Sequence, residues 1–351
     1  MSAHLQLRSP ARPLAPARAG VRRRALVGAA WTLAWTLAWG CALMLFAHRA
    51  QAAPLTLAVS SGPVSLPIYV AEARGFFKDE GLDLRLRDCA SGRECFQWLA
   101  DGKADVATAA ELLVATAGAT HRDLAIIATI SASSYQIKLV ARRSAKIAEA
   151  PQIRGKRIGT VLGSSAQYFL DNWLVYNDID PASVTVVGLA PDKLAQALET
   201  RDVDAVAIWE PLASTVALAL GGDAVTFAGP RVYTQHFNLV AARAAIDHRE
   251  EDIARLLRAL LRAQRVIQEQ PETARALLAE RLHLPPALIA AAMDNEDYRV
   301  RLDQSLVTTM QSEARWAARV ASGPHGGIDV LRAIDPAPLH RVDAGAVGLV
   351  Q

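Results

Sequence analysis

Lys156-Arg-Ile-Gly-Thr-Val-Leu-Gly-Ser-Ser-Ala166 is a β-rich run that turns on Gly163 and opens, through two serines, a helical stretch from Ser164 to Tyr176. A short strand feeding a helix is one step of a parallel βα series, and the same alternation continues in both directions. Downstream come a strand at Val184 to Val187, a helix from Asp192 to Thr200, a strand at Asp204 to Ile208, a helix after Pro211 and a short strand at Ala224 to Phe227. Upstream, Leu55 to Ser60, Leu82 to Arg87 and Asp105 to Thr108 read as strands, with helices at Leu66 to Arg74, Glu94 to Asp101 and Ala110 to Ala119. Leu124 to Ile130 and Ile137 to Ala141 complete a first sheet. Arg142 to Arg154, charged and without strong periodicity, reads as a crossing to a second sheet, and Phe237 to Ala241 as the strand that returns. Beyond it, Arg249 to Glu269, Pro271 to Arg281, Pro286 to Met293 and Gln304 to Ala321 carry helical periodicity. The spacing predicts an α/β chain of two lobes, residues 54–141 with 236–351 and residues 142–235, joined by two crossings. A ligand cleft is expected where the carboxyl ends of the strands face each other.

A chain of 351 residues can bury two cores of ordinary size without disulfide or metal support. Its formal charge of +3 is misleading. Seven arginines (Arg8, Arg12, Arg18, Arg22, Arg23, Arg24 and Arg49) lie in residues 1–53, which hold no acid, so 31 basic side chains face 35 acidic ones in the rest. A body near −4 lacks the clustered basic face that nucleic acid requires. The first 53 residues have the layout of a secretory signal peptide: arginines to Arg24, an apolar run from Ala25 to Ala47, and small residues at Ala50-Gln51-Ala52-Ala53. Residues 25–47 also approach bilayer-spanning length, which leaves an uncleaved inner-membrane anchor as the alternative to a periplasmic protein. Cys41 belongs to this leader. Cys89 and Cys95 remain, and across the Ser91-Gly92 turn in an oxidising compartment they are expected to form a disulfide, the alternative being two separate core thiols.

Candidate binding groups sit where strands end. Gly163-Ser164-Ser165 precedes a helix, so free amides and two hydroxyls converge under a positive dipole end; the same Ser164 also suits a plain N-cap. Ser61 and Ser65 flank the loop after the first strand and face that point across the cleft, and Glu111 opens a helix, where it either meets the ligand or complements the dipole. Trp209 and Glu210 end a second-lobe strand, bringing an aromatic face and a carboxylate, although Trp209 also fits a core position. Tyr135 lies near the change of lobe and either reaches the ligand or packs there. No spacing supports a zinc site or a Ser/His/Asp set, so no catalysis, cofactor or metal is expected.

The chain resembles the periplasmic solute-binding proteins of ABC transporters for nitrate, taurine and aliphatic sulfonates, a group with thiamine-pyrimidine-binding and pyrimidine-synthesis relatives. The resemblance rests on Leu66-Pro-Ile-Tyr-Val-Ala-Glu-Ala-Arg-Gly-Phe-Phe77, Glu80-Gly-Leu-Asp-Leu84, Ala104-Asp-Val-Ala-Thr-Ala-Ala-Glu111, Arg154-Gly-Lys-Arg-Ile-Gly159, Val203-Asp-Ala-Val-Ala-Ile-Trp-Glu-Pro211 and Leu302-Asp-Gln-Ser-Leu306. It implies a type II periplasmic-binding fold with C-terminal helices on the first lobe, hinge closure on a small ligand, and delivery by a monomer to an inner-membrane permease with its ATPase. It also implies that the Gly163-Ser164-Ser165 and Ser65 loops touch the solute. Glu111 and Glu210 depart from an anion pocket and raise zwitterions, amines or nitrogen heterocycles as ligands. The alternatives are a pyrimidine-synthesis-like enzyme on the same fold and a membrane-anchored sensory binding protein.

Overall fold

The computed structural model describes residues 53–350 apart from 118–120, 230–231, 294 and 321–328. The expected signal peptide, with Cys41, lies ahead of the described chain. The first part runs β1 (Leu55–Ser60), α1 (Leu66–Ala73), α2 (Phe76–Asp79), β2 (Leu84–Cys89), α3 (Gly92–Ala100), β3 (Val106–Ala110), α4 (Glu111–Ala117) and β4 (Leu124–Ser133). Next come β5 (Ile137–Arg142), β6 (Arg157–Thr160), α5 (Ser165–Tyr176), β7 (Thr185–Gly188), α6 (Pro191–Glu199), β8 (Ala205–Trp209), α7 (Leu212–Leu220), β9 (Ala224–Phe227) and β10 (Gln235–Ala242). Helices α8 (Arg243–His248), α9 (Glu250–Glu269), α10 (Pro271–Leu282), α11 (Pro286–Met293) and α12 (Gln304–Val320) follow. Among the described residues no single helix is long and apolar enough to cross a membrane.

Two five-stranded sheets form, in the orders β2-β1-β3-β10-β4 and β7-β6-β8-β5-β9. Each has one strand running against its neighbours: β10 between β3 and β4, and β5 between β8 and β9. β10 is the returning strand expected around Phe237. The position of β5 corrects the expectation that Ile137 to Ala141 completes the first sheet. The chain changes sheet at residues 134–136, not within Arg142 to Arg154, which links β5 to β6 inside the second sheet. The apolar run of β5 reports that the strand is covered, not which sheet covers it.

The central strands are apolar on both sides because both faces are covered. In the second sheet, Leu139 packs with Ile158 and Phe169 on one face while the next residue, Val140, packs with Leu194 and Ile208 on the other. The first sheet shares a core with α1 and α9. Helix α9 buries Ile253, Leu256, Leu257, Leu260 and Ile267, a stripe at helical spacing, while its acids crowd the first turn and complement the dipole. The outer edge of β4 is covered by bridges from Asp297, Arg301 and Ile334, which closes an edge that would otherwise offer unpaired backbone groups.

Candidate functional site

A cavity of about 420 Å³ opens between the carboxyl ends of the two sheets. The first sheet contributes the segments after β1 (Ser60, Ser61, Gly62, Val64), β2 (Ala90 to Arg93) and β3 (Ala110, Leu112, Leu113), with Gln235 and Phe237 from β10. The second contributes Val161, Ser164 and Ser165 after β6, Pro191 after β7, and Trp209 to Leu212 at the end of β8; Gln136, just before β5, completes the lining. Of the residues expected from sequence, Ser61, Ser164, Ser165, Trp209 and Glu210 come together here.

Ser65, Glu111 and Tyr135 do not line it, and each has a physical reason. The Ser65 hydroxyl is fully buried and donates to the Ser60 carbonyl at 2.8 Å, bracing the turn into α1. Tyr135 sits in the turn between the sheets, where its amide donates to Ser133 Oγ at 3.0 Å. Glu111 turns away: its Oε1 accepts from the Tyr233 hydroxyl at 2.7 Å and its Oε2 from the His236 amide at 3.0 Å. The same Tyr233 oxygen lies 3.1 Å from Glu313 Oε1, so the two carboxyl groups share one phenol. Burial, and then the adjacent Glu111, push the Glu313 carboxyl well above the usual carboxylate range. Burial also raises the Tyr233 phenol, with Glu111 and Glu313 acting in the same direction. A position at the start of a helix did not reveal the direction of this side chain.

The loop after β6 forms the N-cap that was one of its two sequence readings. Gly163 takes φ 65°, a left-handed conformation suited to glycine. Ser164 N-caps α5, accepting from the Ala166 amide at 3.1 Å and donating to the Val161 carbonyl at 2.6 Å, so its hydroxyl is engaged. The first-turn amides remain as donors. Glu210 does line the cavity, but its carboxylate accepts from the Ser214 hydroxyl at 2.7 Å and amide at 3.1 Å and is ion-paired to Lys138. Its charge is therefore compensated.

Polar residues outside the sequence expectation also line the cavity, Arg93 and Gln136 among them. Arg93 is the basic side chain on the cavity wall among the described residues, and its Nη2 donates to the Gly163 carbonyl at 2.8 Å, from the first-sheet side to the second. Gln136 is 4% exposed, donates through Nε2 to the Glu210 carbonyl at 3.4 Å, and holds Oε1 without a partner. The signal for Arg93 was present: Ser91-Gly92-Arg93 follows a parallel strand just as Gly163-Ser164-Ser165 does. Cys89 and Cys95 are joined in a disulfide around this loop, with Cα atoms 5.6 Å apart.

The family model described as NMT1/THI5 like matches residues 62–274. A Bacillus subtilis protein named as aliphatic sulfonates-binding is 25% identical over 72% of this chain and 78% of its own length. The crystal structure of the periplasmic aliphatic sulphonate binding protein SsuA from Escherichia coli superposes with a TM-score of 0.72 at 19% identity, covering 81% of this chain and 92% of that one. A more limited match, 23% identical over 36% of each chain, is a 4-amino-5-hydroxymethyl-2-methylpyrimidine phosphate synthase of Saccharomyces cerevisiae. The fold shared with SsuA is the periplasmic-binding one expected above.

Proposed function

Because the chain belongs to the NMT1/THI5-like family, we propose that it is the periplasmic solute-binding component of an ABC importer and holds a small organic anion between its sheets. One observation carries the reading. The loops after β2 and β6, each opening a helix, meet across a cavity in which Arg93 is the lining cation while the lining carboxylate, Glu210, is already paired with Lys138. Helix-start amides favour an anionic head. Val64, Leu112, Leu113, Trp209, Leu212 and Phe237 suit an apolar body. A cavity of about 420 Å³ is larger than a bare nitrate ion needs, which favours an alkane- or arenesulfonate, in line with the names of the relatives. The withdrawal of Glu111 and the pairing of Glu210 weaken the expectation of an amine or zwitterion.

In this reading the protein is exported on a cleaved leader, its two lobes turn about residues 134–136 and the entry to β10 at residues 232–234, and the closed form presents the solute to a permease and its ATPase. Ser61, Ser165 and Trp209 contact the ligand. A thermal-shift screen of alkanesulfonates, taurine, nitrate and pyrimidines, followed by calorimetry, tests it. A sulfonate at a hundred times its Kd is expected to stabilise the protein by about 2.7 kcal/mol. No stabilisation by any anion, together with turnover of a pyrimidine precursor, would turn the assignment to the enzyme alternative. Sequencing the amino terminus of protein recovered from the periplasm separates cleavage from retention, since a chain beginning at Met1 is the anchored form.

A further inference from the structure

We propose that Arg93, clasped by the Cys89–Cys95 disulfide, is the residue that couples closure of the two lobes to the negative charge of the ligand. The inference rests on the anion-binding reading above and adds how the charge is sensed. Ala90 to Glu94 form the loop inside the disulfide, whose cysteines are 6 positions apart. The loop is tied twice more: the Ala90 amide donates to Glu94 Oε2 at 2.8 Å and the Glu94 amide to Ser91 Oγ at 3.3 Å. At Gly92 an added Cβ would lie 3.3 Å from the Phe237 ring and 3.5 Å from Ala109 Cα, so the loop sits flush on the first sheet. The backbone that carries Arg93 is thereby fixed to one lobe.

Its side chain reaches the other. The Gly163 carbonyl that accepts from Arg93 precedes Ser164 and Ser165, and the Gly163 amide is itself held by Gln167 Oε1 at 2.7 Å. A guanidinium has five N–H donors in a planar fork, and one of them meets this carbonyl. Among the described residues no carboxylate forms an ion pair with Arg93, and the side chain is exposed. This one contact, open to water and salt, adds only weakly to the hold between the lobes, which also meet where Trp316 donates to Asp171. An anion seated against the remaining donors and the first-turn amides of α3 and α5 would be bound by both lobes at once, and closure would follow from its charge. The unpartnered Oε1 of the buried Gln136 on the same cavity wall is an acceptor, so it can take a donor carried elsewhere on the ligand and not its anionic head.

The test compares butanesulfonate with butyl methyl sulfone, a neutral compound of similar shape, on wild type, R93K and R93Q, reading Kd by calorimetry at two salt concentrations and closure by small-angle scattering. Wild type is expected to contract with the sulfonate and not with the sulfone. R93Q, with an unchanged Tm, is expected to bind the sulfonate at least tenfold more weakly, with a flatter salt dependence and no contraction; R93K should recover affinity in part. Reducing the disulfide in the folded protein should weaken sulfonate binding in wild type and leave R93Q unaltered, a difference that simple destabilisation would not produce. Equal affinity and equal contraction in R93Q would overturn the coupling while leaving the anion reading intact. A wild type that binds no anion would remove both.

Discussion

The Trp316 indole donates from Nε1 to Asp171 Oδ2 at 2.8 Å, fastening α12 to α5. Helix α12 packs beside α4 of the first sheet and α5 beside the second, so the bond joins elements that follow different sheets. Trp316 also meets the Tyr168 ring edge-on at 5.4 Å. Trp316→Phe is expected to keep the ring contact, lose the hydrogen bond and cost about 1 kcal/mol. Trp316→Ala loses both and is expected to cost about 3 kcal/mol. Urea unfolding of the two variants and wild type measures the difference: a Trp316→Phe protein as stable as wild type would show that the indole N–H contributes nothing, and equal losses in the two variants that the ring contact contributes nothing.

Glu296 makes stability depend on pH. Its carboxylate oxygens are shut off from solvent without a hydrogen-bond partner, and burial pushes its pKa from 4.5 up to about 8, with the neighbouring Ser131 and Ser133 hydroxyls offsetting only part of the rise. The native state therefore holds a proton that the unfolded chain releases near pH 4.5. Its contribution is fully present below that pH and is lost as pH rises through about 8. The slope from this one group approaches about 1.4 kcal/mol per pH unit within the window. Glu296→Gln is expected to flatten the curve and to exceed wild type in stability at pH 8 to 9, read from urea midpoints across the range. Parallel curves for the two proteins would refute the assignment.

Lys138 compensates Glu210 at the cavity wall, with 16% and 1% of the two side chains exposed. Lys138→Met leaves a buried carboxylate unpaired and is expected to cost about 2–3 kcal/mol, at the lower side of the range for broken buried pairs because Lys138 keeps some contact with water. It also adds a net negative charge to the cleft. Sulfonate affinity is expected to fall with it, while Lys138→Met combined with Glu210→Gln should recover much of both losses. Calorimetry and urea unfolding on the pair of variants check this.

The disulfide closes a short loop, and removing it through Cys89→Ala with Cys95→Ala is expected to cost about 2 kcal/mol by loss of chain restriction in the unfolded state. Thiol titration of unfolded, unreduced protein should find neither Cys89 nor Cys95 free. Two titratable thiols would contradict the bond.

Much of the fold was legible because βα alternation follows from burial: the central parallel strands are covered on both faces, and most parallel strands lead into a helix whose start is marked by glycine, serine or proline, β3 being the exception because it runs straight into Glu111. The sheet that β5 joins was not legible, since Ile137, Leu139 and Val140 would be equally apolar in either partner. At the site, position along the chain was readable and direction was not. Ser164 and Trp209 reach the cavity from strand ends, as their places implied. Glu111 occupies an equivalent place in the first lobe, yet its carboxylate follows the donors supplied by Tyr233 and His236, residues more than a hundred positions away. Arg93 lies between two cysteines whose spacing marks a structural turn, and the same turn also presents a side chain to the cavity.

The place of β10 between β3 and β4 has a consequence in time. A polypeptide emerges amino terminus first. Strands β3 and β4 are both out early, but neither can be zipped to the other until residue 242 has followed, because the strand between them comes last. Every strand of the second sheet lies within residues 137–227, so that sheet can be assembled while the first still has a gap at its centre. The sheet that begins later is the one able to finish sooner, and the cavity between the two sheets comes into being only when the returning strand fills the vacant slot.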